Sequence, residues 1–252
     1  MTASPPLSSG ASAGVFDDAN AAQLAAADTS HWWFRGKSAV VGAVLRRWAP
    51  PRGWLIDVGA GSGGVTSMLP WDSRRLVVEG SGPLVASAGR RGLDAAQGDV
   101  LCLPVRDRVA AAVCLLDVIE HLHDPVAALE EAGRVVADDG IVVVSVPAHS
   151  WLWSEADVAL GHHRRYGRRL LDAHLAAAGL EPLWTSHVFS WCVPPVWLAR
   201  KVRRPSEAEL GISATSPIVD RLADLLNRGE RQVLGRATLP IGTSVLAVAR
   251  VS

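Results

Sequence analysis

Hydrophobic and polar positions follow two different periods along the central part of the chain. Near-continuous apolar runs predict buried strands at 54–58, 76–80, 95–97, from 109 onward and at 141–147. Segments with helical spacing lie between these runs, at 62–69, 83–91 and 124–136. Strands that are covered on both faces have such runs, and their alternation with helices predicts a parallel sheet with right-handed crossovers.

Start and stop signals indicate where the predicted helices begin and end. We expect a first helix after Phe34 that runs to about Trp48, because Pro50 and Pro51 cannot continue it. Asp124 has the side chain of an N-cap residue and precedes a proline, which suits the first turn of a helix.

The regular alternation ends after Pro147. The next segment, 148–167, is rich in Trp, His and Arg and is predicted to be a long loop. The remaining elements are predicted as a helix at 168–178, a strand at 180–189, an apolar segment with a basic end at 191–204, a loop at 205–217, a helix at 218–234 and a closing strand at 243–251.

Length and apolar content predict one large domain. The chain has 252 residues, of which 49% are hydrophobic, enough to bury a sizeable core. Residues 1–30 are expected to be a disordered or loosely ordered tail. The single domain, 31–252, is divided into a core at 53–147, a substrate-side loop and cap at 148–217, and a closing helix and strand at 218–252.

The balance of charge and the spacing of cysteines limit the classes of binding partner and the cellular compartment that we expect. The 25 basic and 25 acidic residues balance, so no overall field favours nucleic acid. Cys102, Cys114 and Cys192 have no metal-site spacing and are expected to be free thiols in a reducing cytoplasm. The first residues lack a signal-peptide pattern, and no apolar run has the length of a bilayer span. A cytoplasmic location is therefore expected.

The stretch LIDVGAGSGGVTSML, 55–69, predicts a strand, a tight glycine loop and a helix. Its glycines fit the G-x-G-x-x-G pattern of nucleotide-binding loops, in which the backbone approaches the ligand closely. Asp57 at the strand end would face a dinucleotide pyrophosphate unfavourably but could hold an ammonium group. Glu79 ends the next strand at a spacing that suits ribose hydroxyls, and Asp99 could meet an adenine amino group.

Four segments, in order, resemble class I S-adenosylmethionine-dependent methyltransferases, in a bacterial branch of the type 11/12 kind. They are DVGAGSGG, VVEGSG, QGDVLCLPV and LLDVIEHLHDPVAALEEAGRVVADDGIVVVSVP. The resemblance covers 55–147 and extends more loosely to HWWFRGK and to the C-terminal segments. It implies an α/β, Rossmann-like, doubly wound seven-stranded sheet, mostly parallel with an antiparallel last strand, and an inserted substrate loop or lid. It also implies S-adenosyl-L-methionine as cofactor and S-adenosyl-L-homocysteine as product.

The resemblance assigns cofactor-binding positions residue by residue. They are Gly59, Ala60 and Gly61 for the methionine part, Glu79 for the ribose, Asp99 and Val100 beside the adenine, and Leu116 and Asp117 along the pocket. Asp57, Gly80 and His121 are further cofactor-binding candidates, although His121 could instead be a structural histidine that bonds to the backbone. Related sequences usually have Arg where this chain has Lys37. Because Lys would pair with the cofactor carboxylate less rigidly, Arg35 is the substitute candidate. Of the adjacent Trp32 and Trp33, one is expected to form a pocket wall or lid over the sulfonium.

Catalytic and substrate-binding groups are expected in the loop 148–167. A histidine base and an orienting acid could come from His149, Asp157, His162, His163 and Tyr166. Trp151 and Trp153 could form flat walls, and Arg164 and Arg165 a cationic clamp on the substrate, or these arginines could only pair with helix carboxylates at the surface. No metal site is expected, because adjacent histidines point apart and no third ligand is obvious.

The sequence therefore predicts a methyltransferase that acts on a small polar metabolite, natural-product or sugar-like, with in-line transfer to oxygen. One alternative is an NAD(P)-dependent oxidoreductase, supported only by the glycine pattern and Glu79. Others are a non-catalytic cofactor-binding protein, a different reaction on the same cofactor, and a methyltransferase of a lipid-linked glycan. Segment 191–204 is expected to cover the pocket or form a homodimer contact; contact with a membrane is the alternative.

Overall fold

The computed structural model describes residues 29–202 and 216–252. The strands are β1 (Trp54–Val58), β2 (Arg75–Glu79), β3 (Asp94–Gln97), β4 (Ala110–Leu116), β5 (Val136–Pro147), β6 (Leu180–Val188) and β7 (Ser244–Val251). The helices are α1 (Trp32–Trp48), α2 (Gly64–Met68), α3 (Gly82–Arg90), α4 (Pro125–Val135), α5 (Glu155–Ala159), α6 (Arg168–Ala177), α7 (Val193–Val202) and α8 (Pro217–Leu234).

The strands form one seven-stranded sheet in the order β3-β2-β1-β4-β5-β7-β6. Neighbours from β3 to β5 pair in parallel, and β7 runs antiparallel between β5 and β6. The predicted seven-stranded sheet with an antiparallel last strand is confirmed. In this register Asp57 lies opposite Val77 and Cys114, while Leu116 lies opposite Ser145, so the ends of β1, β4 and β5 form one edge.

Helices cover both faces of the sheet, as a doubly wound fold requires. In β4, Val113 and Leu115 pack into the core beneath α4 and α6. Ala112 and Cys114 point to the opposite core, which includes residues of α1 and α8. This alternation between two apolar cores explains why the strand is apolar at every position.

Several boundaries differ from the sequence prediction. Helix α1 begins at Trp32 rather than after Phe34, because the His31 side chain accepts a hydrogen bond from the Trp33 backbone N–H at 3.2 Å. Strand β5 begins at Val136, where it pairs with Ala110, instead of at 141. The predicted helix cap at Asp124 is confirmed, since its carboxylate accepts from two backbone N–H groups of α4.

The segment 148–167 was predicted to be one long loop, but the structure shows regular elements within it. It contains a 3-10 turn at Ser150–Leu152 and the short helix α5, which starts with a capping box between Ser154 and Asp157. The apolar segment after β6 forms a 3-10 turn, Ser190–Cys192, and then α7.

Some expectations fall outside the described part of the chain. The predicted N-terminal tail does so except for residues 29 and 30, and so does most of the predicted loop 205–217. Among the described helices, none combines the length and the apolar character needed to cross a membrane.

We predict that Gly42→Ala destabilises the fold by about 1–3 kcal/mol. A Cβ atom on Gly42 of α1 would lie 2.6 Å from Cδ of the Pro70 ring, which cannot rotate away. Chemical denaturation of the wild type and the variant would measure the loss in unfolding free energy.

Gly89→Ala is the matched control, because Gly89 also lies in a helix, α3, but a Cβ atom there meets nothing within 4 Å. Its stability should be unchanged or rise by roughly 0.5 kcal/mol from helix propensity. Equal stability changes in the two variants would contradict the packing argument.

Candidate active site

The glycine loop that follows β1 brings bare backbone to the edge of the sheet. Gly59 has a φ of +66° and lies so close to Val118 that a Cβ atom would approach its side chain to 2.8 Å. Gly61 has a φ of +58°, and the space beside it is open. The positive φ at both positions favours glycine, and the close approach of Val118 leaves no room for a side chain on Gly59. Ala60 lies between them, so the loop fits the close backbone approach expected for the methionine part of the cofactor.

Glu79 connects the ends of β1 and β2. Its carboxylate accepts hydrogen bonds from the backbone N–H of Gly61 at 2.9 Å and of Ser81 at 3.1 Å. This acceptor therefore lies beside the glycine loop, where the sequence places the cofactor ribose.

Asp57 is buried beneath this loop. One of its oxygens accepts a hydrogen bond from the Thr66 hydroxyl, and the other has no hydrogen-bond partner among the described residues. Burial raises the pKa of Asp57 to about 7, against the lowering effect of Thr66. A buried acceptor without a partner at this position fits a cationic ligand group such as the ammonium of S-adenosylmethionine.

Lys37 of α1 is the buried cation at this edge of the sheet. Its ammonium donates to Asp117, which also accepts from the Ser145 hydroxyl at 3.2 Å. Burial lowers the pKa of Lys37 to about 8, while the charges of Glu120 and Asp57 raise it. These contacts place Lys37 between the end of β4 and the glycine loop.

Arg35 lies elsewhere. Its guanidinium pairs with Asp224 at 3.0 Å and approaches Asp220 to 3.9 Å, and both carboxylates belong to α8. Arg35 is thus engaged with α8, whereas Lys37 lies at the end of β4, so the prediction that Arg35 pairs with the cofactor carboxylate would require these contacts to rearrange.

The two adjacent tryptophans at the start of α1 have different neighbours, and both are half-buried. Trp32 packs against Trp191, with ring centroids 5.1 Å apart. The Trp33 ring lies 4.4 Å from that of Phe189 and 5.4 Å from the Lys37 ammonium. Trp33 is therefore the one of the pair that contacts the pocket cation.

The other predicted cofactor residues lie at the carboxyl ends of their strands. Gly80 follows β2, where its carbonyl accepts from Gln97 at 2.8 Å. Asp99 follows β3 and is exposed, with half-buried Val100 beside it, and half-buried Leu116 ends β4. Their placement at one edge agrees with a ligand site outside the carboxyl ends of parallel strands.

A buried carboxylate organises the segment after β5. Asp157 accepts hydrogen bonds from His162 Nδ1 at 2.8 Å, Arg165 Nε at 2.7 Å and the Ser154 backbone N–H at 2.8 Å. Burial alone would raise the pKa of Asp157, but the hydrogen bonds from His162 and Arg165 hold it well below its usual range. The predicted pairing of an acid with a histidine from this segment is present at Asp157 and His162.

The same histidine meets the turn that follows β4. Glu120, His121 and His162 each offer one ligand atom within 4.8 Å of the others. Burial raises the pKa of Glu120 to about 8 and lowers that of His121 to about 4. No third ligand was obvious from the sequence; the available signal was the adjacent Glu–His pair that follows a buried strand.

The other predicted catalytic residues do not join this cluster. His163 is exposed and stacks on His123 at 4.0 Å, so the two adjacent histidines point in different directions. Tyr166 is fully buried in the apolar core beneath α4 and α6, and the expectation that it reaches a substrate is not met in this conformation.

His149 forms a separate stack outside the Glu120 cluster. Its ring lies 5.1 Å from that of Trp151 and 4.8 Å from that of His187. Burial lowers the pKa of His149, helped by the charge of Arg165. Trp151 and Trp153 are exposed, as walls open to a ligand would be.

Both predicted clamp arginines are used within the protein. Arg164 donates to the carbonyls of Leu122 at 2.7 Å and His123 at 3.2 Å. Arg165 donates to Asp157 and to the Ala148 carbonyl at 3.0 Å. The structure places them as braces of the segment 148–167, so a substrate clamp would require these contacts to rearrange.

Comparison with known proteins agrees with this geometry. A sequence profile described as a methyltransferase domain matches residues 32–187. No curated protein sequence matches the chain. The methyltransferase in a Haloferax volcanii complex with the activator Trm112 is 18% identical, with a TM-score of 0.60 over 93% of this chain and 94% of that one.

Two further solved structures share the fold. Geranyl diphosphate C-methyltransferase from Streptomyces coelicolor A3(2), solved with Mg²⁺, geranyl diphosphate and S-adenosyl-L-homocysteine, is 16% identical, with a TM-score of 0.56 over 91% of this chain and 89% of that one. The O-methyltransferase NcsB1 from neocarzinostatin biosynthesis is 23% identical, with a TM-score of 0.52 over 66% of this chain and 53% of that one.

The chain belongs to the methyltransferase domain family, in the class I fold that uses S-adenosylmethionine. The resemblance stated from the sequence is therefore confirmed.

We predict that Asp57→Asn changes how stability depends on pH. Because the folded-state pKa of Asp57 is raised, its stabilising contribution is complete below about pH 4 and is lost as the pH rises through 7. Relative to wild type, the variant should gain on the order of 2 kcal/mol between about pH 5 and pH 8.

Denaturation of the ligand-free proteins at both pH values would measure this difference. Asp139→Asn, which removes an exposed carboxylate in β5, controls for the lost charge. Parallel stability curves for wild type and Asp57→Asn would contradict the raised pKa.

Proposed function

We propose that this protein transfers a methyl group from S-adenosylmethionine to a hydroxyl oxygen of a small polar metabolite. The observation that carries the proposal is the cluster of Glu120, His121 and His162, whose ligand atoms lie within 4.8 Å of one another, together with buried Lys37, whose pKa is lowered by burial against the raising effect of the Glu120 charge. Such a cluster suits an acceptor with polar groups that need orientation and loss of a proton. A natural-product or sugar-like hydroxyl fits this requirement.

The residues that would hold the cofactor are those at the carboxyl ends of β1, β2 and β3. Asp57 would accept from the ammonium group, and Lys37 would pair with the carboxylate. Glu79 would accept from the ribose hydroxyls, with Asp99 at the adenine. Each residue has a charge or lone pair that matches the group assigned to it.

When bound, S-adenosylmethionine supplies an electrophilic methyl group on a sulfonium. The acceptor oxygen forms the new bond to the methyl carbon, while the S–CH3 bond breaks and leaves its electron pair on sulfur. The hydroxyl proton must leave, and the imidazoles of His121 and His162, with ring centroids 4.7 Å apart, are the groups proposed to orient the acceptor for this loss. Positioning supplies most of the acceleration, because the sulfonium is already reactive.

A lipid-linked glycan is a second candidate acceptor, favoured by the outer face of α8. Ile218, Leu222 and Leu225 are more than half exposed. The acidic side chains of α8 are engaged on its inner side, with Arg35 and with backbone N–H groups after β6. Arg221 and Arg228 are exposed. An apolar face flanked by arginines suits an anionic lipid surface.

The first test is calorimetric titration with S-adenosyl-L-homocysteine and, in parallel, with NAD. We expect binding of the first and not the second. Glu79→Gln should weaken binding about tenfold, because it removes one charge-assisted acceptor. Glu130→Gln, on the exposed side of α4, is the matched control and should bind as wild type does.

Binding of NAD alone would overturn the proposal in favour of an oxidoreductase. If S-adenosyl-L-homocysteine binds, product formation from S-adenosylmethionine should be screened with matched pairs of hydroxylated and aminated acceptors. Methylation of the amines but not the hydroxyls would contradict transfer to oxygen, while absence of turnover with any acceptor class would favour a non-catalytic binding protein.

For the lipid-linked candidate, we predict that wild type sediments with phosphatidylglycerol vesicles and that Leu222→Ser with Leu225→Ser loses at least about tenfold in binding. Leu170→Ser, on the exposed side of α6, is the control. A wild type that stays in the supernatant, or equal loss in the control, would argue against membrane contact.

A further inference from the structure

The turn after β4 and the segment after β5 bring three metal-ligating side chains together. One ligand atom each from Glu120, His121 and His162 lies within 4.8 Å of the others. A tetrahedral ion with bonds of about 2.0–2.2 Å has ligand atoms roughly 3.4 Å apart, so side-chain shifts of roughly 1 Å would close this set. We propose that Glu120, His121 and His162 bind a divalent transition-metal ion that holds the acceptor hydroxyl and promotes loss of its proton.

Glu120 supplies the first independent reason. Its side chain is fully buried, and within the described part of the chain neither carboxylate oxygen accepts a hydrogen bond from another residue. An ionised carboxylate in that position is costly unless a cation contacts it. Lys37 and Arg165 influence Glu120 through their charges, but the Lys37 ammonium is bonded to Asp117. A metal ion beside Glu120 would give this carboxylate the cationic partner that it lacks among the described residues.

His162 supplies the second reason. Its Nδ1 lies 2.8 Å from Asp157, and Asp157 remains an acceptor because Arg165 and the Ser154 N–H also donate to it. This arrangement places the proton on Nδ1 and leaves the lone pair on Nε2. Histidines that bind metal ions are oriented in the same way, by a carboxylate on the opposite ring nitrogen.

His121 completes the set from the same short turn as Glu120. The 3-10 turn Ile119–His121 follows β4, and the His121 ring lies 4.7 Å from that of His162 at an interplanar angle of 76°. Its imidazole ring is a nitrogen donor of the kind that binds transition-metal ions.

The donor set indicates the kind of ion. Two imidazole nitrogens and one carboxylate favour Zn²⁺, Fe²⁺ or Mn²⁺ over Ca²⁺ and Mg²⁺, which prefer oxygen ligands. Three protein ligands leave at least one coordination position for a substrate oxygen. Structural zinc sites, by contrast, use four protein ligands.

An ion at this position would explain how the acceptor loses its proton. A hydroxyl bound to the metal ion has a lowered pKa and passes its proton to water. The resulting oxygen forms the bond to the methyl carbon as the S–CH3 bond breaks towards sulfur. This role rests on the proposed methyl transfer, whereas metal binding itself does not.

The test begins with protein stripped by a chelator and titrated with ZnCl2 in a calorimeter. We expect about one Zn²⁺ per chain, and at least roughly tenfold weaker binding in His162→Ala and in Glu120→Gln, because each loses a ligand. Co²⁺ added to wild type should give visible absorption bands of a low-coordinate nitrogen and oxygen site, and they should disappear in His162→Ala. Circular dichroism would establish that the variants fold.

His163→Ala is the matched control, since His163 is adjacent in sequence but stacks on His123 at the surface. It should bind Zn²⁺ as wild type does. The proposal is overturned if wild type binds no Zn²⁺, if His162→Ala and Glu120→Gln both retain full affinity, or if His163→Ala abolishes binding. Should His162→Ala fail to fold, the comparison of Glu120→Gln with wild type decides.

Titration of the stripped protein with S-adenosyl-L-homocysteine separates the two proposals. Cofactor binding without Zn²⁺ binding would overturn the metal site and leave the methyltransferase function in place. Zn²⁺ binding without cofactor binding would overturn the proposed function but not the metal site.

Discussion

The partly buried ion pair between Lys37 and Asp117 joins α1 to the end of β4, and the geometry of this edge of the sheet depends on it. Asp117 has a φ of +58°, which costs energy for a non-glycine residue. Its backbone N–H donates to the Ser145 carbonyl and its carboxylate accepts from the Ser145 hydroxyl, so Asp117 is also joined to β5. One ion pair therefore fixes three elements at the edge where the ligands would lie. The Lys37 charge also acts on Asp57 and Glu120, so these two carboxylates share one electrostatic environment.

Asp157 has the corresponding role in the segment after β5. It is buried, yet three donors from its own segment surround it, and this keeps a short stretch of chain in a fixed shape against the sheet edge. Its contacts hold Arg165, which in turn bonds the carbonyl that follows β5. The segment after β5 thus orients His162. Its two arginines, Arg164 and Arg165, stabilise the protein through hydrogen bonds to carbonyls and to Asp157.

The sequence predicted the sheet well, because strands and glycine turns depend on local patterns, while the cofactor-binding residues stay a prediction. Apolar runs specify buried strands, and the glycines at 59 and 61 are required by positive φ. The contacts of the segment 148–167 were harder to predict from the sequence. They join residues that are far apart in the chain, and the spacing of residues does not show in which direction their side chains point. Tyr166 was predicted as a catalytic residue because histidines and arginines surround it in the sequence, but its side chain lies in the core. Arg35 points towards α8 because Asp220 and Asp224 lie there. Glu120 follows β4 and His162 follows β5, so the two side chains come together only after the connections that follow both strands have folded.

The position of β7 has a consequence for how the chain is assembled. β6 has β7 as its single neighbour in the sheet, and β7 comes more than fifty residues later in the sequence. While the ribosome is still translating the intervening residues, β6 has exposed backbone donors and acceptors and an apolar face without a partner. Five of the seven strands can therefore be paired before β6 has its neighbour. A nascent chain stalled before residue 244 would be a target for chaperones or for pairing with another chain.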